Sequence, residues 1–139
     1  MQSILVAVDA SRPSERAVRH VIALQESGMA LRVLLVNVQL PWAPARTREE
    51  RKEGERRHAR ATAQATRAAR ALLERSKVPY EARMVVGDEA EAIVKLAQAK
   101  RCDQIVMGMR GRGAVARVVL GSVSMKTLQL ARTPVTLVK

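Results

Sequence analysis

The sequence predicts an α/β fold, a parallel sheet covered by helices on both faces, and three observations predict it. Strand-like apolar runs alternate with helix-like stretches along all 139 residues, which implies right-handed crossovers between parallel strands. The second of those runs is apolar almost throughout, as a strand buried on both sides would be. Aromatic residues make up 1% of the chain, Trp42 and Tyr80, so the core has to be built from Val, Leu, Ile, Ala and Met, a mixture suited to that architecture. At 47% hydrophobic residues, and without repeats or linkers, 1–139 reads as one domain with one core.

The first strand is expected over 3–8, stopping at Asp9. Ser11, Arg12 and Pro13 then open a helix whose Ala17, Val18, Val21 and Ile22 share a face, and Gly28 closes it. A second strand is expected over 31–38, after which Pro41 and Pro44 break regular structure. A long helix follows over about 47–76, with Ala61, Ala65, Ala68 and Leu72 in one stripe and Arg56, Arg60, Arg67 and Arg70 projecting elsewhere. Only its second half has a face to bury. The third strand is expected over 80–86, and Gly87 and Asp88 turn into a helix with Asp88 as N-cap and Glu91 as its capping-box partner. Ile93, Val94, Leu96 and Ala97 form the apolar side of that helix. A fourth strand over 103–107, a glycine-punctuated segment over 108–120, a helix over 122–131 and a fifth strand over 135–138 complete the chain.

In such sheets ligands bind beyond the carboxyl ends of the strands, where the strand order reverses, and Asp9, Val38 and Gly108 all lie at strand ends. The most specific motif is there too. Gly108-Met109-Arg110-Gly111 is followed, after nine residues, by Gly121-Ser122-Val123-Ser124 at a helix start. Glycines let a backbone approach an anion closely, and the free N–H groups and positive dipole end of a helix N-terminus attract phosphate. A strand-to-helix turn that merely needs unusual dihedrals is the competing reading of the glycines, and a helix N-cap is the competing reading of Asp9.

The formal net charge is +12, and residues 46–83 hold twelve Arg and Lys against six Glu. That surplus raises nucleic-acid association as a possibility, but so few aromatics leave no base-stacking surface, and solvated charge is the simpler reading. Cys102 is the one cysteine and no signal peptide precedes the first strand, so the cytoplasm is the expected compartment. No apolar run is long enough to span a bilayer. No catalytic residue and no metal-ligand cluster is assigned. The chain lacks the Gly-x-x-x-x-Gly-Lys-Ser/Thr element, His20 and His58 stand apart from any nucleophile, and Cys102 has no Cys-x-x-Cys partner. Trp42, in the loop after the second strand, either covers the ligand site or packs against a partner.

The Gly-x-x-Gly, nine residues, Gly-Ser pattern resembles the ATP-binding signature of the universal stress protein family. The resemblance runs from the opening Ile-Leu-Val-Ala-Val-Asp-Ala-Ser, through Gly-Asp-Glu-Ala-Glu-Ala-Ile-Val, to Asp-Gln-Ile-Val-Met-Gly-Met-Arg-Gly-Arg-Gly. It implies a three-layer, nucleotide-binding α-hydrolase-like fold, with five strands in the order 3-2-1-4-5 and about four helices. It also implies ATP, with or without magnesium, or else ADP or AMP, in a stress-response binding module. Asp9 would accept from ribose hydroxyls, Ala7, Val8, Val38 and Met107 would contact adenine and sugar, and Gly108, Gly111, Gly121, Ser122, Val123 and Ser124 would surround the phosphates. Arg110 stands where several relatives have histidine, and with Arg112 or Arg117 it would neutralise phosphate charge. A homodimer through residues 135–139 and an unidentified protein partner are further implications. The alternatives are a slow ATPase or autophosphorylating enzyme, with Ser122, Ser124 or Thr127 as acceptor, and a family member acting through its basic surface without nucleotide.

Overall fold

The computed structural model describes residues 1–110 and 120–139. Its elements are β1 (Gln2–Ala7), α1 (Arg12–Glu26), β2 (Leu31–Gln39), α2 (Arg48–Arg75), β3 (Tyr80–Val86), α3 (Glu89–Ala99), β4 (Gln104–Gly108), α4 (Ser122–Leu130) and β5 (Val135–Val138). All four strand pairings are parallel, and the five strands lie in the order β3-β2-β1-β4-β5.

Side chains of β1 alternate between two apolar layers, as a strand with helices on both faces requires. Ile4, Val6 and Val8 pack with Val18 and Val21 of α1 and Leu72 and Leu73 of α2. Leu5 faces the other way, with Leu34, Val36 and Ile105, against Ile93 and Ala97 of α3 and Val123 of α4. The helices therefore form two outer layers around the sheet.

Local chemistry fixes where each helix begins. Ser11 caps α1, its hydroxyl accepting from Ser14 N–H, with a proline in the first turn. Thr47 and Glu50 form a full capping box on α2, each side chain accepting from the other residue's backbone N–H. Asp88 caps α3 by accepting from Glu91 N–H at 3.1 Å. The return half of that expected box is replaced, because the Glu91 carboxylate faces Lys126 of α4 at 3.5 Å.

Other expectations shift by small steps. β1 runs one residue earlier than expected, since its ladder starts at Gln2 opposite Leu31, and Val8 falls just beyond it. β4 runs one residue later, since Gly108 pairs with Val138. The buried stripe of α2 is Thr62, Ala65, Thr66, Ala69, Leu72 and Leu73, whereas Ala68 is exposed and Ala61 half-buried. The threonines enter the core because their hydroxyls are satisfied there, Thr62 on Asn37 and Thr66 on the Thr62 carbonyl. The first half of α2 has no buried residue, and there Arg56, Arg57 and Arg60 all ion-pair with Glu53, absorbing part of the basic surplus. No described helix is long and apolar enough to cross a membrane.

Candidate functional site

The strand order reverses between β1 and β4, and the chain leaves β1 for the α1 layer and β4 for the α4 layer, so the two connections diverge and leave a crevice above the strand ends. On the β1 side the chain turns tightly into α1. Asp9 Oδ1 accepts from Ser11 N–H at 3.0 Å, and Asp9 N–H donates to the buried Ser14 hydroxyl at 3.3 Å. Ser11 and not Asp9 is thus the α1 cap. Between them Ala10 has a φ of +68°, a left-handed conformation that costs a non-glycine residue roughly 1 kcal/mol or more.

On the β4 side Gly108 lies directly under the start of α1. A β-carbon there would sit 2.6 Å from Pro13 Cβ, so only glycine lets the strand end and the helix start approach this closely. Gly121 N–H donates to the Met109 carbonyl at 2.8 Å, and the Ser124 hydroxyl donates to the Gly108 carbonyl at 2.9 Å. These two bonds aim the N-terminus of α4 at the crevice. Its N-cap is Gly121, which has no capping side chain. Ser124, expected among the residues around the phosphates, spends its hydroxyl proton on Gly108, so what this turn offers a ligand is the Ser122 hydroxyl and the positive end of the helix.

The β2 wall is built on Asn37, which is 2% exposed. Its Nδ2 donates to the Val8 carbonyl at 2.8 Å, and its Oδ1 accepts from Gln39 Nε2 at 2.7 Å and from the Thr62 hydroxyl at 3.0 Å. One side chain thereby joins the end of β1, the end of β2 and α2. The following loop leans on the exposed half of α2. His58 Nε2 lies 3.1 Å from the Leu40 carbonyl, and the Arg57 guanidinium lies over the Trp42 ring, 5.5 Å from its centroid. Trp42 remains 54% exposed and lines the outer edge of the crevice.

Together these elements enclose a cleft of about 910 Å³. Its lining includes Ala7, Val8, Asp9, Val38, Met107, Gly108, Arg110, Gly121, Ser122, Val123 and Ser124, which is every nucleotide-contacting residue expected from the sequence that the structure describes, whereas Thr127, named as an alternative phosphoacceptor, is buried outside it with its hydroxyl on the Val123 carbonyl. Gly111 lies outside the described residues, as do Arg112 and Arg117. The sequence reading did not include Asn37, Gln39, Gln64 and Glu89, which also line the cleft. Burial first, and then the neighbouring carboxylates Asp9 and Asp88, push the Glu89 carboxyl up from its ordinary range. Cys102 is buried at the opposite, amino end of the strands, near the Ser3 hydroxyl, and takes no part in the cleft. Among the described residues no group of three His, Cys, Asp or Glu is placed to hold a metal ion.

Comparison with known proteins agrees with this architecture. The family model described as "Universal stress protein family" matches residues 1–139. A universal stress protein of Thermus aquaticus, named for its place in the 3′ region of QAH/OAS sulfhydrylase, is 48% identical over 63 residues. The match covers 45% of this chain and 46% of that protein, so about half the length of this curated relative is spanned. Among solved structures, the hypothetical protein MJ0577 is similar with a TM-score of 0.78 and 27% identity, over 99% of this chain and 95% of that one. A universal stress protein in complex with cAMP is similar with a TM-score of 0.67 and 26% identity, over 99% and 97% of the respective chains.

Proposed function

The chain belongs to the universal stress protein family, and from that premise we propose that it is a nucleotide-dependent regulatory module that binds ATP, or ADP or AMP, in the cleft between β1 and β4. The observation that carries the reading is the meeting of opposite chemistries in one cleft, which is lined by the start of α4, Gly108 and Arg110 and also by Asp9. Phosphates belong beside the α4 start and Arg110, where a helix N-terminus and a guanidinium favour anions. The ribose hydroxyls belong on Asp9, and the base between Val38 and Trp42. A cleft of about 910 Å³ is within the range of small-molecule sites. Magnesium, where it accompanies ATP, is carried by the phosphates in this reading.

A regulatory role follows if the nucleotide binds unequally to two arrangements of the surrounding segments, since only differential affinity shifts a population. The homodimer through 135–139 is part of the same proposal. β5 is an edge strand, and Met125, Leu128 and Leu130 of the preceding α4 are exposed. The cytoplasm is the proposed compartment.

The test is calorimetric titration of nucleotide-stripped protein with AMP and with magnesium-ATP, alongside Ser122→Asp. An aspartate in the first turn of α4 suits the helix dipole and preserves stability, but it places a negative charge where a phosphate would bind. Micromolar binding weakened roughly tenfold or more by the substitution, a loss of about 1.4 kcal/mol, is the expected result. The only tryptophan lines the cleft, so its fluorescence should report the same titration. Absence of binding by both methods refutes the reading.

A further inference from the structure

Glu89 is the first residue of α3, and its side chain lines the cleft shared with Asp9. A glutamate at a helix start ordinarily projects into solvent and gains from the dipole. This one is only partly exposed, and it lies near enough to Asp9 and Asp88 to be acted on by their charges.

The groups around it are unequal. Asp88, at the cap of the same helix, is held in its charged form by Lys126 of α4 at 3.0 Å and by Glu91 N–H. Lys126 is thereby engaged with Asp88 and Glu91. Asp9 faces the cleft from the β1–α1 turn, and Arg110 from the end of β4. From α2 the cleft receives Ala61, Gln64 and Ala65, which carry no charge. A ligand entering this space therefore meets two carboxylates. An anionic ligand penalises an ionised Glu89 by like charge, whereas a neutral ligand sets no charge against it.

We propose that Glu89 determines which ligands the cleft accepts: an anionic nucleotide binds with uptake of a proton from solvent onto the Glu89 carboxylate, and an uncharged nucleoside binds without that requirement. This rests on the nucleotide reading of the cleft and adds charge selection to it. Binding of an anionic nucleotide weakens as pH rises and Glu89 must give up its proton. The affinity for adenosine changes little. At alkaline pH the cleft discriminates against the more highly charged nucleotides.

The experiment titrates wild-type protein and Glu89→Gln with AMP and with adenosine, at acidic and at mildly alkaline pH. The ratio of the two proteins' affinities cancels the ionisation of the AMP phosphate itself. For AMP that ratio should favour Glu89→Gln increasingly as pH rises, by about tenfold for each unit by which the ligand raises the Glu89 pKa. For adenosine it should stay level. A second measurement needs no variant. Cyclic AMP has a phosphodiester that does not titrate in this range, so its binding heat to the wild type in two buffers of different ionisation enthalpy gives the protons taken up directly. Uptake on cyclic AMP binding supports the proposal even if Glu89→Gln fails to fold. An AMP ratio independent of pH, with no proton uptake for cyclic AMP, overturns it and leaves nucleotide binding intact. Failure of both proteins to bind any of the three ligands overturns the nucleotide reading, and this inference with it.

Discussion

Replacing Gly108 by alanine tests the geometry on which the cleft depends. A β-carbon added there lies 2.6 Å from Pro13 Cβ, 2.7 Å from the Pro13 carbonyl carbon and 3.0 Å from its oxygen. Comfortable carbon–carbon contact is about 3.5–4.0 Å, so roughly 1 Å of separation has to be created. The obstacle is backbone at a helix start that Ser11, Ser14 and Asp9 tie down by hydrogen bonds, and it cannot swing aside as the end of a long side chain would. Overpacking a well-packed site costs about 1–3 kcal/mol, and a rigid neighbour places Gly108→Ala near the upper figure. For a chain of this size that is a fall of roughly 10 °C in Tm. Gly54→Ala is the control. It lies in the exposed half of α2 with nothing within 4 Å of the new atom, so it should gain about 0.5–1 kcal/mol from helix propensity alone. Urea unfolding should therefore show a loss for Gly108→Ala and none for Gly54→Ala, whose gain is confined to the exposed half of α2. If Gly108→Ala unfolds within about 0.5 kcal/mol of wild type, below what any overpacked site should cost, then α1 and the end of β4 are not held as described. The placement of Gly108 beside the β1–α1 turn that carries Asp9 would then have to be abandoned.

Two further substitutions address the walls. Asn37→Ala strips a hydrogen-bond partner from the Val8 carbonyl, the Gln39 amide and the Thr62 hydroxyl at once, and should cost about 3 kcal/mol in urea unfolding. A cost within the range of an ordinary surface substitution would mean that water replaces the asparagine. Thr47→Ala removes half of the α2 capping box and should destabilise the helix start by about 1 kcal/mol. Because that half of α2 has no buried residue, the loss should appear as faster amide exchange over 48–58, with little change in the global unfolding midpoint.

The fold was legible because its determinants are local or periodic. Ser11, Thr47 and Asp88 mark helix starts by their own side-chain chemistry, and the apolar runs of β1, β2 and β4 mark buried parallel strands without reference to anything distant. Legibility failed where a residue's meaning depends on a partner far along the chain. Apolar periodicity ranked Ala68 above Thr66, yet hydrogen bonding brought Thr66 inward, against a threonine whose own hydroxyl reaches Asn37, 25 residues away. Asn37 itself interrupts an apolar run, and nothing near it in sequence shows that it would tie three elements together. The helix start that holds Glu89 was legible from its cap, Asp88. That the same position faces Asp9 follows only from the crossover that carries α3 back over the sheet.

The glycine-motif positions and the other cleft residues divide by kind, and the division bears on selectivity. The glycines and the Gly-Ser step of the motif mark places where backbone must approach something closely, as Gly108 does with Pro13. Such positions suit any phosphate-bearing ligand, because backbone N–H groups and a helix dipole do not read the rest of the molecule. Discrimination requires side chains with directional or titratable groups. In this cleft those include Asn37 with Gln39 on the β2 wall, Trp42, and Glu89 with Asp9. None of these belongs to the glycine motif. Substituting motif positions should therefore weaken all nucleotides together, whereas substituting Gln39, Trp42 or Glu89 should reorder them. A panel of AMP, ATP, GMP and adenosine titrated against both classes of variant separates the two. An unchanged ranking in the second class would show that the backbone alone sets what this protein binds.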